Sequence, residues 1–350
     1  MIPEFIKKET VTSHRAADKP MENWQEVLKG LITHPQGLQQ ALGLSDRALA
    51  DISHASQDFP LRIPGDYLHR IRIADIDHPL LKQFVPSPQE LIHTEGFSND
   101  PVAELEKNTV PGLVHKYPGR VLLVISSSCP VHCRYCFRRH FPYHRNRNGR
   151  EQWQQAIAYI RQDSSIREVI YSGGDPLSAS DHQLGWLTRE LSAIPHLSRL
   201  RVHTRFPLVI PQRVTDALLE WLTGRRLTPS MVLHCNHPDE LSPEVVFALG
   251  RLRTAGVTLL NQSVLLKGVN NQPDTLITLS EKLYACGVLP YYLHLLDKVQ
   301  GAAHFDVPEA EALSIYEAMQ SALPGYLLPR LVREEAGKPS KTLIGKSGCP

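Results

Sequence analysis

The 350-residue sequence predicts an α/β fold, an open and partial TIM-like (βα)6 barrel preceded by a mostly helical extension. Three observations carry that expectation. From about residue 119, short apolar β-branched runs alternate with amphipathic helical stretches, six times in series. Strands alternating with helices imply a parallel sheet with right-handed crossovers. Six units fall short of the eight that close a full barrel, and polar residues gather where the apolar runs end, the face on which such folds place their chemistry.

Residues 1–110 read as the extension. The stretch 24–42 looks helical in two pieces broken around Pro35-Gln36-Gly37, while 58–64 and 76–88 are punctuated by proline. Residues 111–325 form the partial barrel. Its strand candidates are 121–125, 168–171, 200–203, 231–234, 258–264 and 290–295; its helix candidates are 151–161, 181–193, 212–223, 243–254, 274–285 and 308–322. Residues 326–350 hold a last strand over 326–332 and a charged segment bearing Lys341.

Composition narrows the function. A net charge of +2, mixed along the chain, marks no nucleic-acid surface. Six cysteines in a chain this long suit a reducing compartment rather than a disulfide framework. The first residues lack the apolar core of a signal peptide, and no apolar run nears the roughly 20 residues of a membrane span. The expectation is a cytoplasmic protein with neither a nucleic-acid nor a membrane partner.

Cys129, Cys133 and Cys136, spaced C-x3-C-x2-C, sit on the loop that leaves the first strand. Thiolates this close can share a soft metal centre, with an iron–sulfur cluster the leading candidate and one iron left open by the three-ligand count. Structural zinc, with His132 or His140 as fourth ligand, is the rival. Such zinc usually draws two ligand pairs from separate turns, and the sequence has no second C-x2-C.

Further strand ends carry polar groups. Ser172-Gly173-Gly174-Asp175 offers glycines for close backbone approach and a carboxylate for an ammonium or hydroxyl, though an ordinary tight turn reads equally well. Arg205 offers a guanidinium for a carboxylate. His234 and its neighbours to Pro238, the Asn261-Gln262-Ser263 interruption of an apolar run, and Asp297 complete a lined cavity. The segment from Arg333 to Thr342 is either a solvated tail or a glycine-bearing loop that presents the Lys341 amine for a Schiff base.

Together these motifs resemble the radical S-adenosylmethionine superfamily and, within it, the lysine 2,3-aminomutases, from about residue 90 onward. The run from Cys133 to Tyr143 is similar to the bacterial branch that supplies β-lysine for modification of translation elongation factor P. The resemblance implies a barrel of the radical S-adenosylmethionine type ending in a pyridoxal-phosphate lysine segment. It implies that Cys129, Cys133 and Cys136 bind a 4Fe–4S cluster whose open iron chelates S-adenosylmethionine. Ser172, Gly173, Gly174 and Asp175 would cradle that cofactor's methionine end, with His234 and Gln262 lining the same pocket. Lys341 would carry pyridoxal phosphate, with Lys116, Tyr117 and Arg120 at its phosphate and ring. Arg138 would pair with the carboxylate of the substrate L-lysine, and Asp297 with Glu334 would grip its distal amine.

The implied reaction is an aminomutase isomerisation that moves nitrogen from carbon 2 to carbon 3 and yields β-lysine, the (R) isomer by family likeness. Implied partners are an electron donor of reductase or flavodoxin type and the ligase that passes β-lysine to elongation factor P; a homo-oligomer is compatible. Three positions depart from the clostridial-type enzymes. Lys116 replaces an arginine and loses its fork, Glu334 replaces an aspartate, and Gln272 replaces a zinc-binding cysteine, so that zinc site is not expected and the family tetramer is not assumed. Cys235, Cys286 and Cys349 have no implied role. Two other readings stay open: a radical enzyme of this fold acting on glutamate or arginine, and a non-enzymatic iron–sulfur or zinc interaction module.

Overall fold

A computed structural model describes residues 23–71, 75–146 and 149–345; Cys349 lies outside them. The chain opens with α1 (Trp24–Lys29), β1 (Leu31–Ile32), α2 (Pro35–Leu42), α3 (Asp46–Ala55), β2 (Ile63–Pro64), α4 (Gly65–Ile71) and α5 (Pro79–Lys82). The helical break expected at Pro35 lies earlier. The chain leaves α1 at Gly30 and pairs β1 antiparallel with β2, while Pro35 opens α2 as its first residue. At that position a missing N–H costs nothing and the fixed φ already suits a helix. Trp24, Leu38, Ile52, Tyr67 and Phe84 from this region share one buried core with Leu123, Val169, Leu200 and Met231 of the sheet.

The sheet follows as β3 (Asn108–Val110), β4 (Leu113–Tyr117) and β5 (Arg120–Ser126), then α6 (Arg150–Gln162), β6 (Glu168–Gly173), α7 (Asp181–Ser192), β7 (Arg199–Thr204), α8 (Phe206–Val209) and α9 (Asp216–Thr223). It continues with β8 (Thr228–Leu233), α10 (Pro243–Thr254), β9 (Thr258–Val264), α11 (Pro273–Ala285), β10 (Val288–His294), α12 (Glu309–Ala322), β11 (Arg330–Arg333) and β12 (Thr342–Leu343). Its ten strands lie in sequence order from β12 to β3. Strands β5 through β11 pair parallel; β3, β4 and β12 add antiparallel edges. With β3 and β12 at opposite ends the sheet stays open, as the six predicted units require.

Local chemistry explains the spacing. Ser180 and Gln183 form a capping box that starts α7, and Thr215 accepts from Leu218 N to start α9. That cap places α9 four residues later than the sequence pattern suggested, because Pro211–Arg213 forms its own 3-10 turn first. All six residues of β6 are buried, as in a strand covered on both faces. The last parallel strand starts at Arg330 rather than 326, because 325–327 turn. Among the described residues no helix is long and apolar enough to cross a membrane.

Candidate active site at the carboxyl ends of the strands

The cysteine loop departs from β5 at a register shift between Val124 and Ser126, a bulge that re-aims the strand. The extension then straps it. His132 N donates to Arg62 O (2.9 Å) and Arg134 N to Gln83 O (2.8 Å). The Arg134 guanidinium is fully buried and forks onto Glu90 at 2.8 and 2.6 Å, and Arg139 reaches the same carboxylate at 2.9 Å. Phe59 stacks on His132, and the guanidiniums of Arg134 and Arg139 lie 4.6 and 4.7 Å from its ring centroid.

His132 Nδ1 is committed to the Pro60 carbonyl (2.8 Å) and His140 Nε2 to the Gln300 carbonyl (3.2 Å). Among the described residues no three His, Cys, Asp or Glu side chains are placed to hold a single metal ion. The three cysteines are unpaired and partly buried. Burial and the neighbouring thiols raise Cys129 and Cys136, the latter to about 11, so their protons leave only when a cation replaces them. Three thiols on one strapped loop fit a cluster.

The loop after β6 packs against this one. Gly173 has φ +120°, and a Cβ there would meet Ser126 O at 2.6 Å; one on Gly174 would meet Ser128 O at 2.6 Å. The glycines therefore let two backbone segments touch, with Gly174 N donating to Ser126 O (2.7 Å). Asp175, expected to hold a ligand, is spent internally. It accepts from Leu177 N, Thr204 Oγ1 and Arg205 N, and burial raises its carboxyl to about 6. Arg205, expected to meet a ligand carboxylate, meets Glu240 of the protein at 2.6 Å. Asn261 and Ser263 bond the backbone of Cys235 and line the α11 side with Leu276 and Leu283. Strand alternation then turns Gln262 to the opposite, concave face.

Arg138 occupies the cysteine loop's exit. Glu104 takes its Nε and one terminal nitrogen at 2.6 and 2.7 Å; the other terminal nitrogen donates to Ser172 Oγ (3.0 Å) and Gly173 O (3.2 Å). Four of its five N–H groups are thus engaged. The two-pronged grip on a substrate carboxylate that the sequence suggested is not open here, because Glu104 holds the fork. Ala103, at φ +49°, turns Glu104 inward, and Asp100 fixes the turn by accepting from Glu104 N.

The segment after β11 folds back on the sheet: residues 336–340 are exposed at its tip, while Glu334 and Lys341 are partly buried. Lys341 Nζ donates to Glu334 Oε2 (2.6 Å), Lys116 Nζ to Glu334 Oε1 (2.6 Å), and the Tyr117 hydroxyl to the same oxygen. Arg120 lies over the Tyr117 ring at 4.6 Å. Gly337, at φ +79°, makes the bend that returns the chain to β12. Burial alone would raise the Glu334 carboxyl, but Lys341 and the hydrogen bonds from Lys116, Lys341 and Tyr117 hold it at about 2. Asp297 is the reverse case: burial raises it to about 7, with Lys341 opposing and Glu334 and Glu104 reinforcing.

Buried polar atoms without partners border the same space: His203 Nε2, His294 Nε2 and Asp297 Oδ1. Burial depresses His203, His234 and His294, His234 to about 4, so all three are neutral imidazoles. Lys341 adds to the depression of each, and Arg138 to that of His203 and His234. The cysteine-loop arginine and the C-terminal lysine therefore act on one cavity. Cations at Lys116, Lys341 and Arg120 beside orphaned polar atoms fit an anionic, ring-bearing cofactor. Sequence reasoning missed Glu90, Glu104 and Glu240, whose partners lie 34–49 residues away along the chain, beyond any periodic signal.

Comparison with known proteins follows the same lines. A family described as a 4Fe-4S single cluster domain matches residues 116–195, which include the three cysteines. The chain is 49% identical over 325 residues to the L-lysine 2,3-aminomutase of Haemophilus influenzae, covering 93% of this chain and 96% of that protein. It is 46% identical to that of Escherichia coli K12 (92% and 94% covered) and 34% identical to that of Clostridium subterminale (94% and 79%). Among solved structures, a radical SAM methyltransferase from Sphaerobacter thermophilus overlays at TM-score 0.43 and 18% identity, over 63% of this chain and 68% of that one.

Proposed function

Because the chain belongs to the L-lysine 2,3-aminomutase family of radical S-adenosylmethionine enzymes, we propose that it converts L-lysine to β-lysine. The chain is an isomerase, and its cofactors are a 4Fe–4S cluster, S-adenosylmethionine and pyridoxal phosphate. The product in this proposal is the (R) isomer, handed to a ligase that modifies translation elongation factor P. The electron comes from a reductase or flavodoxin-type donor.

In this reading Cys129, Cys133 and Cys136 hold the cluster. His234, Gln262 and the Ser172–Asp175 turn line the S-adenosylmethionine pocket, with Asp175 acting through the shape it gives the turn. Lys341, Lys116, Tyr117 and Arg120 hold pyridoxal phosphate, and Arg138, Asp297 and Glu334 hold lysine. When bound, the cofactors supply the radical chemistry and the conjugated ring that nitrogen migration needs. The protein's residues position and exclude. The observation that carries the proposal is the meeting of Lys341, Lys116 and Tyr117 on Glu334, with Asp297 responding to the same charges.

Glu334 now binds the ammonium of Lys341. Once Lys341 is committed to the cofactor, Glu334 Oε1 keeps Lys116 and Tyr117 while Oε2 is open to a second ammonium of the same chemistry, the distal amine of lysine. Asp297 supplies the second negative charge, and an ammonium beside it draws it into its ionised form. A substrate with a distal carboxylate would face two anions, so glutamate is rejected by repulsion. Anaerobic reconstitution with iron, sulfide, pyridoxal phosphate and S-adenosylmethionine, followed by chiral analysis of the lysine pool, tests the proposal. The expected outcome is (R)-β-lysine; absence of β-lysine from L-lysine refutes it.

A further inference from the structure

Arg205 follows β7 and is 5% exposed, yet four of its five N–H groups have partners inside the protein. One terminal nitrogen donates to Glu240 Oε2 (2.6 Å) and Gln83 Oε1 (2.7 Å). The other donates to the Tyr135 hydroxyl and to Cys133 Sγ (3.4 Å). The partners are themselves fixed. Glu240 is 1% exposed and accepts from Asn236 N (2.8 Å) and His237 N (3.1 Å). Asn236 Nδ2 donates to Gln83 Oε1 (3.0 Å) and to the Tyr135 hydroxyl (2.7 Å). The guanidinium also lies 4.6 Å from the centroid of Phe84. Packing on every side therefore imposes the contact with the cysteine sulfur.

We propose that Arg205 is a positioning residue for the iron–sulfur cluster, donating from a buried cation to the Cys133 sulfur and biasing the cluster toward its reduced form. The inference rests on Cys133 being a cluster ligand. When one electron enters from an external reductant, negative charge grows on the ligand sulfurs. An N–H···S bond from a cation strengthens with that charge, so it stabilises the reduced state more than the oxidised one. The surroundings have low dielectric, which enlarges the difference. Glu240 works in the opposite sense. By neutralising the guanidinium it weakens the field at the sulfur, so the pair sets the potential between two limits.

The two variants Arg205→Met and Glu240→Gln move the potential in opposite directions. The measurement is a dithionite titration of the reconstituted protein, followed by electron paramagnetic resonance of the reduced cluster, with iron and sulfide assayed alongside. Arg205→Met is expected to shift the midpoint potential more negative and Glu240→Gln more positive, at wild-type cluster content. Unshifted potentials, or shifts of the same sign, overturn the inference. Should Arg205→Met fail to fold, the nearly isosteric Glu240→Gln decides alone, and a negative or absent shift refutes. A wild-type protein that binds no cluster under these conditions refutes the ligand assignment itself, which separates the two failures.

Discussion

Replacing Glu90 with alanine is expected to cost about 3–5 kcal/mol, the usual penalty for stripping a buried cation of its counter-charge. The figure follows from the geometry. The side chains of Glu90, Arg134 and Arg139 are 1%, 0% and 2% exposed. Arg134 makes two charge-assisted hydrogen bonds to Glu90 and Arg139 a third, and Glu90 Oε1 also accepts from Ser87 N at 2.9 Å. Alanine leaves two guanidiniums facing each other over Phe59 without an anion. Set against a folding stability of about 5–15 kcal/mol, the loss is a large fraction. Because Arg134 lies within the cysteine loop and Arg139 three residues past Cys136, the damage centres on that loop. Urea unfolding with the slope checked for constancy gives the stability, and iron per chain after reconstitution gives the loop's integrity. A loss below about 1 kcal/mol together with full iron loading would refute the idea that this carboxylate anchors the loop.

Lys341→Ala should abolish both turnover and the borohydride-trapped pyridoxal adduct while the cluster's visible spectrum persists; a retained adduct would place the cofactor on another lysine. Asp297→Asn should raise KM for lysine, since half of the proposed ammonium grip loses its charge, and it should remove a rise of kcat/KM with pH near 7. The sign for stability is opposite to that of a salt-bridged acid. Folding raises this carboxyl from 3.8 to about 7, so ionisation disfavours the folded state as pH climbs through that window. Asp297→Asn should therefore raise the melting temperature at pH 8 but not at pH 4; equal effects at both would show that Asp297 is not buried as an acid. Glu104→Gln should lower KM for lysine several-fold, because Arg138 then keeps net positive charge for the incoming carboxylate. An unchanged KM would place that carboxylate elsewhere.

The barrel was legible because its strands and helices carry their own periodicity: 258–264 and 243–254 were read to the residue. The antiparallel edge β3–β4 was not, since residues 108–117 alternate weakly and owe their strand form to pairing with β5. Spacing on one short loop made the cysteines visible, and resemblance pointed to Lys341. Sequence could not show that Asp175 and Arg205 turn inward, because a polar residue at a strand end looks the same whether its partner is a ligand or Glu240. Nor could it reveal Glu104, whose effect on Arg138 exists only after the chain has brought 34 residues of separation to 2.6 Å.

The strapping of the cysteine loop has a consequence for the order in which the protein is made. Phe59, Pro60, Arg62, Gln83 and Glu90 all leave the ribosome before Cys129, whereas Gly174 and Arg205, which close the other side, follow 38 to 76 residues after Cys136 and Cys129 respectively. The residues that strap one side of the loop are thus synthesised before the thiols, and those that close the other side after them. Enclosure of the loop is therefore complete only once β7 has been made and has joined the sheet, since Arg205 at its end supplies the contact to Cys133 Sγ.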